Sequence, residues 1–245
     1  MKNFDPINSW NDKEVAARYA EHLRGDEDAA VRFLTEYVNG GRALEFAIGT
    51  GRIAIPLFEN GVQVDGIEGS SNMVEQLKSH PSGSHIDVKI GDMSNVSIGQ
   101  HYNVVYLVYN TIFNLLTAEA QIQCFENAAR HLSPNGSFIV ETALPHTWID
   151  VGKSDYVKAE HVGISNVTFD VAKYDPVTQL MEENHVHISE NGISMNPIVC
   201  RLISPGEMDL MARISGMKLI DRFANWEKSP FDANSTLHIS VYSHA

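Results

Sequence analysis

The residues of this chain best suited to chemistry are acids placed at the ends of apolar runs. Glu45 stands in "RALEFAIGTGRIA", Glu68 closes "VQVDGIE" and Asp92 follows "IDVKIG". Between the first two lies "GTGRIA", Gly49 to Ala54, which satisfies the G-x-G-x-x-G/A pattern. In that pattern glycines turn a strand sharply into a helix and let the backbone approach a nucleotide, with an acid for the ribose ~20 residues on. The same glycines also serve a bare turn that needs positive φ. Glu45 separates the nucleotide readings, because an anion just before the turn repels a pyrophosphate and attracts a cation. S-adenosylmethionine, a sulfonium with an amino group and no phosphate, meets that condition. Glu68 then stands where its ribose needs an acceptor.

The acceptor side follows from the fourth apolar run. "YNVVYLVYN" continues into "TIFNLL", so Tyr109 and Asn110 fall at a strand end, with Phe113 and Asn114 one turn further on. Reacting groups in open α/β sheets gather outside the carboxyl ends of the strands. These residues are therefore expected to face the reacting carbon, where an Asn carbonyl can accept from a substrate amine. Asn110 and Thr111 suit plain helix caps equally well. His146 and Trp148 in "LPHTWID" follow the fifth run and are expected to line the substrate. His185 and His187 share one strand face opposite Val186 and Ile188. Either offers a general base, but a metal needs a third ligand that the neighbouring sequence does not supply, so no metal is expected. Cys124 and Cys200 form no CxxC and read as core residues.

The elements that must hold these groups alternate. Two N-terminal helical stretches, about Asp12 to Leu23 and Glu27 to Tyr37, precede five strand-like runs separated by helical patterns such as "SSNMVEQLKSH" and "AEAQIQCFENAARHL". Nearly continuous apolar strands between helices indicate a parallel sheet covered on both faces, a doubly wound α/β fold. From about Pro145 the texture changes, and "SNVTFDVAKYDPVTQLMEENHVHISEN" reads as two alternating strands about a Tyr-Asp-Pro turn. "SPGEMDLMARISG" opens a last helix with a capping box at Ser204 and Glu207 and Pro205 at its first position. The strands "KLIDRFA" and "TLHISVYS" bring the main sheet to seven. Pro56, close behind the glycine turn, makes the helix there begin late or bend. Arg52 reads as paired with a carboxylate or as a solvated charge.

These motifs, in this order, resemble those of class I S-adenosylmethionine-dependent methyltransferases of the small-molecule type. "LEFAIGTG" is similar to the first motif, implying Glu45 as its acid and Ala47, Gly49 and Gly51 in the glycine slots. "GIEGSSNM" resembles the second, implying Glu68 at the ribose and Met73 beside the adenine. "IGDM" resembles the third, implying Asp92 at the adenine amino group and a backbone contact from Met93. The likeness covers roughly Gly41 to Glu141. Further out, "VAARYAEHL" resembles a lid helix and implies Tyr19 as a cofactor or substrate contact, while Tyr109 lies at the cofactor's methyl end. The fold implied is a Rossmann-like seven-stranded sheet with an antiparallel insert before the last helix. Its parts are lid helices over 1–40, a cofactor-binding core over 41–145, a substrate-covering insert over 146–200, and completion of the sheet over 201–245.

Composition bounds the partners. Eighteen basic against 31 acidic residues give a formal charge of -13, which disfavours a nucleic-acid backbone and an anionic membrane. No apolar run reaches the ~20 residues of a membrane span and no signal segment is recognisable, so a cytoplasmic protein with a small-molecule substrate is expected. An amine acceptor is preferred over a hydroxyl or carbon one. The rivals are an NAD(P)-dependent oxidoreductase and a binding module without catalysis. Oligomeric state is not encoded legibly.

Overall fold

The structure, a computed structural model, describes residues 9–21, 24–150 and 152–245. His22 and Leu23, the end of the expected lid helix, and residues 1–8 of the 1–40 segment lie outside the described residues. Seven strands form the main sheet: β1 (Arg42–Phe46), β2 (Gln63–Glu68), β3 (Asp87–Ile90), β4 (Tyr102–Leu107), β5 (Leu132–Ala143), β10 (Met217–Phe223) and β11 (Leu237–His244). Their order is β10-β11-β5-β4-β1-β2-β3. β1 pairs in parallel with both β2 and β4, whereas β11 pairs antiparallel with both β5 and β10. Only β11 therefore runs against the rest. The strand order reverses between β1 and β4, and that switch point opens a crevice beyond their carboxyl ends.

Helices cover both faces because both faces are apolar. On one side α2 (Glu27–Val38) buries Ala30, Phe33, Leu34 and Val38 beside α3 (Ala54–Glu59) and Leu77 of α4 (Ser71–Ser79). On the other, α5 (Ala118–His131) and α6 (Pro205–Ile214) bury Cys124, Phe125, Met208 and Met211 against Phe46, Phe138 and Tyr242. Both cysteines are buried and free. Ahead of this core, α1 (Lys13–Glu21) packs on α4.

α3 is only six residues long. Pro56 sits in its first turn, where an amide has no helical partner to lose, so the late start expected from the sequence is the outcome. In α6 the Ser204 side chain accepts from the Glu207 amide at 3.2 Å. The other half of the expected capping box is not made. The Glu207 carboxylate turns instead to Arg201 at 2.7 Å and Gln179 at 2.9 Å.

The insert is larger than its alternating segment indicates. β6 (Asp155–Val162) and β9 (Gly192–Arg201) flank the expected pair, β7 (Asn166–Asp175) and β8 (Leu180–Ser189), in one four-stranded antiparallel sheet. Pro197 speaks against a strand in the sequence, yet β9 is an edge, where a missing amide is tolerated.

Candidate active site

The glycine turn is built by backbone geometry. Ala47, Gly49 and Gly51 all have positive φ, at 52°, 58° and 84°. Ala47 thus holds a left-handed conformation that glycine adopts freely and that costs another residue of order 1 kcal/mol or more. Gly49 donates its amide to Glu68 Oε2 at 2.8 Å, and Ser70 donates to Oε1 at 2.8 Å, so the turn and the end of β2 share one carboxylate. Gly51 does something different. A Cβ there would lie 3.0 Å from Ile55 and Leu77, so this glycine lets the helices close on the turn and does not line the cavity.

Glu45 and Glu68 line two adjoining hollows that share part of their wall. Glu45 lines a recess of about 30 Å³ together with Arg52. Glu68 lines a lobe of about 240 Å³ together with Met73. Tyr19, Ala47, Gly49, Tyr109 and Thr111 belong to both walls. Glu45 accepts from the Tyr106 hydroxyl at 2.8 Å, and burial pushes its carboxyl up to about 8 despite that bond and the Arg52 charge. Burial also raises Glu68, against the Ser70, Gly49 and Gly69 amides that favour its charged form.

An arginine-tyrosine stack closes the recess, and the sequence only half disclosed it. The Arg52 guanidinium lies 3.4 Å from the Tyr109 ring centre and 4.8 Å from that of Tyr19, and donates to the two phenols at 2.5 and 2.6 Å. Arg24 also stacks on the Tyr109 ring, at 4.2 Å, and pairs with buried Glu141 at 2.7 Å. Glu141 accepts the Tyr109 amide at 2.9 Å as well, fixing that residue at φ 66°. Burial pushes the Tyr109 phenol up to about 12, although both guanidiniums pull the other way.

Beyond β4 the chain makes a 3-10 turn, Thr111–Asn114. Three residues per turn place positions i and i+3 on one side. Thr111 and Asn114 accordingly face the large lobe with Asn110. Phe113, expected at the substrate, points the other way. It is fully buried and meets Trp148 edge-on at 5.6 Å, so it supports the wall without forming it. The Asn110 carbonyl, offered by the sequence to a substrate amine, accepts the Ala143 amide at 2.5 Å, and its NH2 end is left for the lobe. Trp148 lines the lobe, while His146 is exposed and outside its wall. Trp10, Ile198 and Cys200 complete the wall.

Asp92 is exposed, accepts the Ser94 amide at 2.8 Å, and does not line the cavity. Met93 is buried, with its carbonyl taken by the Asn127 side chain at 2.9 Å. His185 finds one neighbour distant in the sequence and one two residues before it. Asp170, its register partner, lies at 2.5 Å from Nδ1 and Glu183 at 3.7 Å from Nε2. The three offer ligand atoms within 4.8 Å of one another, a grouping of one histidine with two carboxylates and not the two-histidine pair considered from the sequence. His187 pairs with Thr168 at 3.1 Å.

Residues 43–136 match the family model described as a methyltransferase domain. Comparison with curated protein sequences gives no match. Among solved structures, the chain is similar to the CcbJ methyltransferase of Streptomyces caelestis, with 31% identity over 99% of this chain and 100% of that one and a TM-score of 0.91. It also resembles CalS10, an amino pentose methyltransferase from Micromonospora echinaspora solved with S-adenosylmethionine bound, at 20% identity, 95% and 96% coverage and a TM-score of 0.69. KedS8, a sugar N-methyltransferase from Streptoalloteichus sp., is similar at 16% identity, 94% and 92% coverage and a TM-score of 0.65. A seven-stranded sheet with one reversed strand and two carboxylates at adjacent strand tips define the class, and the likeness to CcbJ over the whole length places the chain within it. The protein belongs to the class I S-adenosylmethionine-dependent methyltransferases. Among the described residues no helix is long and apolar enough to cross a membrane.

Proposed function

We propose that the protein methylates the nitrogen of a small-molecule amine, with catalysis by positioning. The observation that carries this reading is the character of the large lobe away from Glu68. Its wall there is Trp10, Asn114, Trp148, Ile198 and Cys200, all uncharged, and burial pushes the Cys200 thiol up to about 12, which keeps it protonated. A hydroxyl acceptor needs a base to take its proton, whereas an amine needs only to arrive unprotonated. An apolar wall favours the neutral amine over its ammonium form. Several methyltransferases of amino sugars share the fold, and they support the choice by analogy alone.

In this reading Glu45 ionises against the cationic donor. Each Glu68 oxygen already accepts one amide and keeps a lone pair for a ribose hydroxyl. Met73 flanks the adenine, and Asp92 and Met93 follow β3, the strand next to β2, at its far edge. Arg52, the cation of the recess, takes the carboxylate of the methionine part. The backbone at Ala47, Gly49 and Gly51 shapes the turn, and Tyr19 and Tyr109 close over it. Bound there, the cofactor supplies a methyl carbon already activated by positive sulfur. Asn114 and Trp148 hold the acceptor nitrogen in line, with Asn110 bracing the turn through the Ala143 amide, an orientation worth about 7–11 kcal/mol of barrier. The segments 1–40, 41–145, 146–200 and 201–245 serve as lid, cofactor core, roof and completion of the sheet.

Incubation with methyl-labelled cofactor and a panel of amino sugars, alkyl amines, phenols and indoles tests the proposal. Label on nitrogen is expected. Label confined to oxygen or carbon replaces it with the corresponding alternative, and a melting shift given by NADH but not by S-adenosylmethionine overturns it altogether.

A further inference from the structure

Where β4 ends, the chain turns through two consecutive left-handed residues, Tyr109 at φ 66° and Asn110 at φ 62°. Asparagine tolerates that conformation, but for a side chain as bulky as tyrosine it is an outlier that the surroundings must impose. The tip stands where the two hollows adjoin, since Tyr109 lines both and Asn110 lines the larger. Strain of this kind gathers at functional sites.

Most of the restraint comes from one residue of β5. The parallel ladder between β4 and β5 ends at Leu107 and Val140. One position further on, Glu141 takes both amides of the tip. Its carboxylate accepts from Tyr109 at 2.9 Å and its carbonyl accepts from Asn110 at 3.2 Å. That carboxylate is buried, and burial raises it while Arg24 and the Tyr109 amide favour its charged form. A buried acid keeps its charge only with a partner. Arg24, between α1 and α2, supplies one at 2.7 Å and also covers the Tyr109 ring at 4.2 Å. Arg24 is itself held in place, because the Glu27 carboxylate accepts the Arg24 and Gly25 amides at 2.7 and 2.8 Å.

We infer that Arg24 and Glu141 are positioning residues: as a pair they hold Tyr109 and Asn110 in the left-handed turn, and so set the Tyr109 ring against the methyl donor. Neither lines either hollow, so both act through Tyr109. The inference concerns the donor side and is independent of the atom that accepts the methyl group.

Calorimetric titration of the full chain with S-adenosylmethionine tests this. Glu141→Gln and Arg24→Gln are each expected to raise the dissociation constant at least about fivefold, the low end of coupling between separate sites. A cycle with Tyr109→Leu separates positioning from general support. On that background Glu141→Gln is expected to add less than about twofold, because the group it acts through is already gone. Arg222→Gln, which breaks the Asp209 pair at the β10 edge of the sheet, serves as the control and is expected to lower the melting temperature without changing donor affinity. Should Glu141→Gln not fold, Arg24→Gln, at the more exposed end of the pair, carries the same cycle. Unchanged affinity in either single variant overturns the inference. So does a Glu141→Gln effect that persists in full beside Tyr109→Leu, or an equal loss of affinity in Arg222→Gln.

Discussion

Replacing Glu45 with Gln isolates the charge on which cofactor selection is proposed to rest. The side chain is enclosed, bonded to Tyr106, and neutral up to about pH 8 in the ligand-free protein. If a cation binds only after Glu45 loses its proton, affinity falls tenfold for each pH unit below that value, since one unit corresponds to 1.36 kcal/mol. Between pH 8.5 and 6.5 the dissociation constant of S-adenosylmethionine should therefore rise about 25-fold in the wild type. The Gln variant keeps the shape and a carbonyl for Tyr106 but has no proton to release. Its binding should be weaker by about 10–100-fold at pH 8.5, the loss of one charge-assisted contact, and should lack the Glu45 slope. Calorimetry across this range, in buffers of different ionisation enthalpy, reads both the affinity and the released proton. Equal slopes in the two proteins, or equal affinity at pH 8.5, would refute the reasoning. A stability check accompanies it. Because the folded pKa is raised, the native state holds a proton that the unfolded chain sheds, so this group's stabilisation is complete below about pH 4.5 and is lost as pH rises through 8. The variant should gain on the wild type over that interval in denaturant melts.

Other perturbations follow from the same geometry. Arg52→Lys keeps the charge but loses the planar stack and one of two phenol contacts, and should raise the cofactor dissociation constant at least about tenfold with little change in melting temperature. Glu68→Ala strips the acceptor from the Gly49 and Ser70 amides and should cost about 2–4 kcal/mol in urea unfolding, besides abolishing cofactor binding. Gly51→Ala meets both positive φ and two contacts at 3.0 Å, so it should destabilise by more than about 1 kcal/mol although the residue does not line the cavity.

The parts of the site that could be read in the sequence are those made locally. An acid, a glycine turn and a second acid lie within one strand-turn-helix-strand unit, and their spacing alone brings Glu45, Gly49 and Glu68 to one place. Arg52 and Arg24 could not be placed in that way, because their partners are 33, 57 and 117 residues distant. Phe113 departs from its expected place because a 3-10 turn directs position i+2 differently from the α-helix that "TIFNLL" suggests. The sheet was legible wherever a strand was apolar on both faces. β6 and β9 escaped because an edge strand with one polar face and, in β9, a proline carries no such run.

Arg201 has a further consequence. This buried cation joins the base of the roof to Gln121 of α5, Gln179 after β7 and Glu207 of α6, at 2.5, 2.5 and 2.7 Å. The N-terminal helix is fastened more lightly, through the Tyr19 phenol on Arg52, the Trp10 carbonyl on Ser70 and an exposed Lys13–Glu75 pair. With one wall riveted and the other latched, spent donor is expected to leave on the N-terminal side, and amide exchange should be faster along 13–21 than along 198–203. Turnover would then be paced by the latch at Arg52, far from the atom that receives the methyl group.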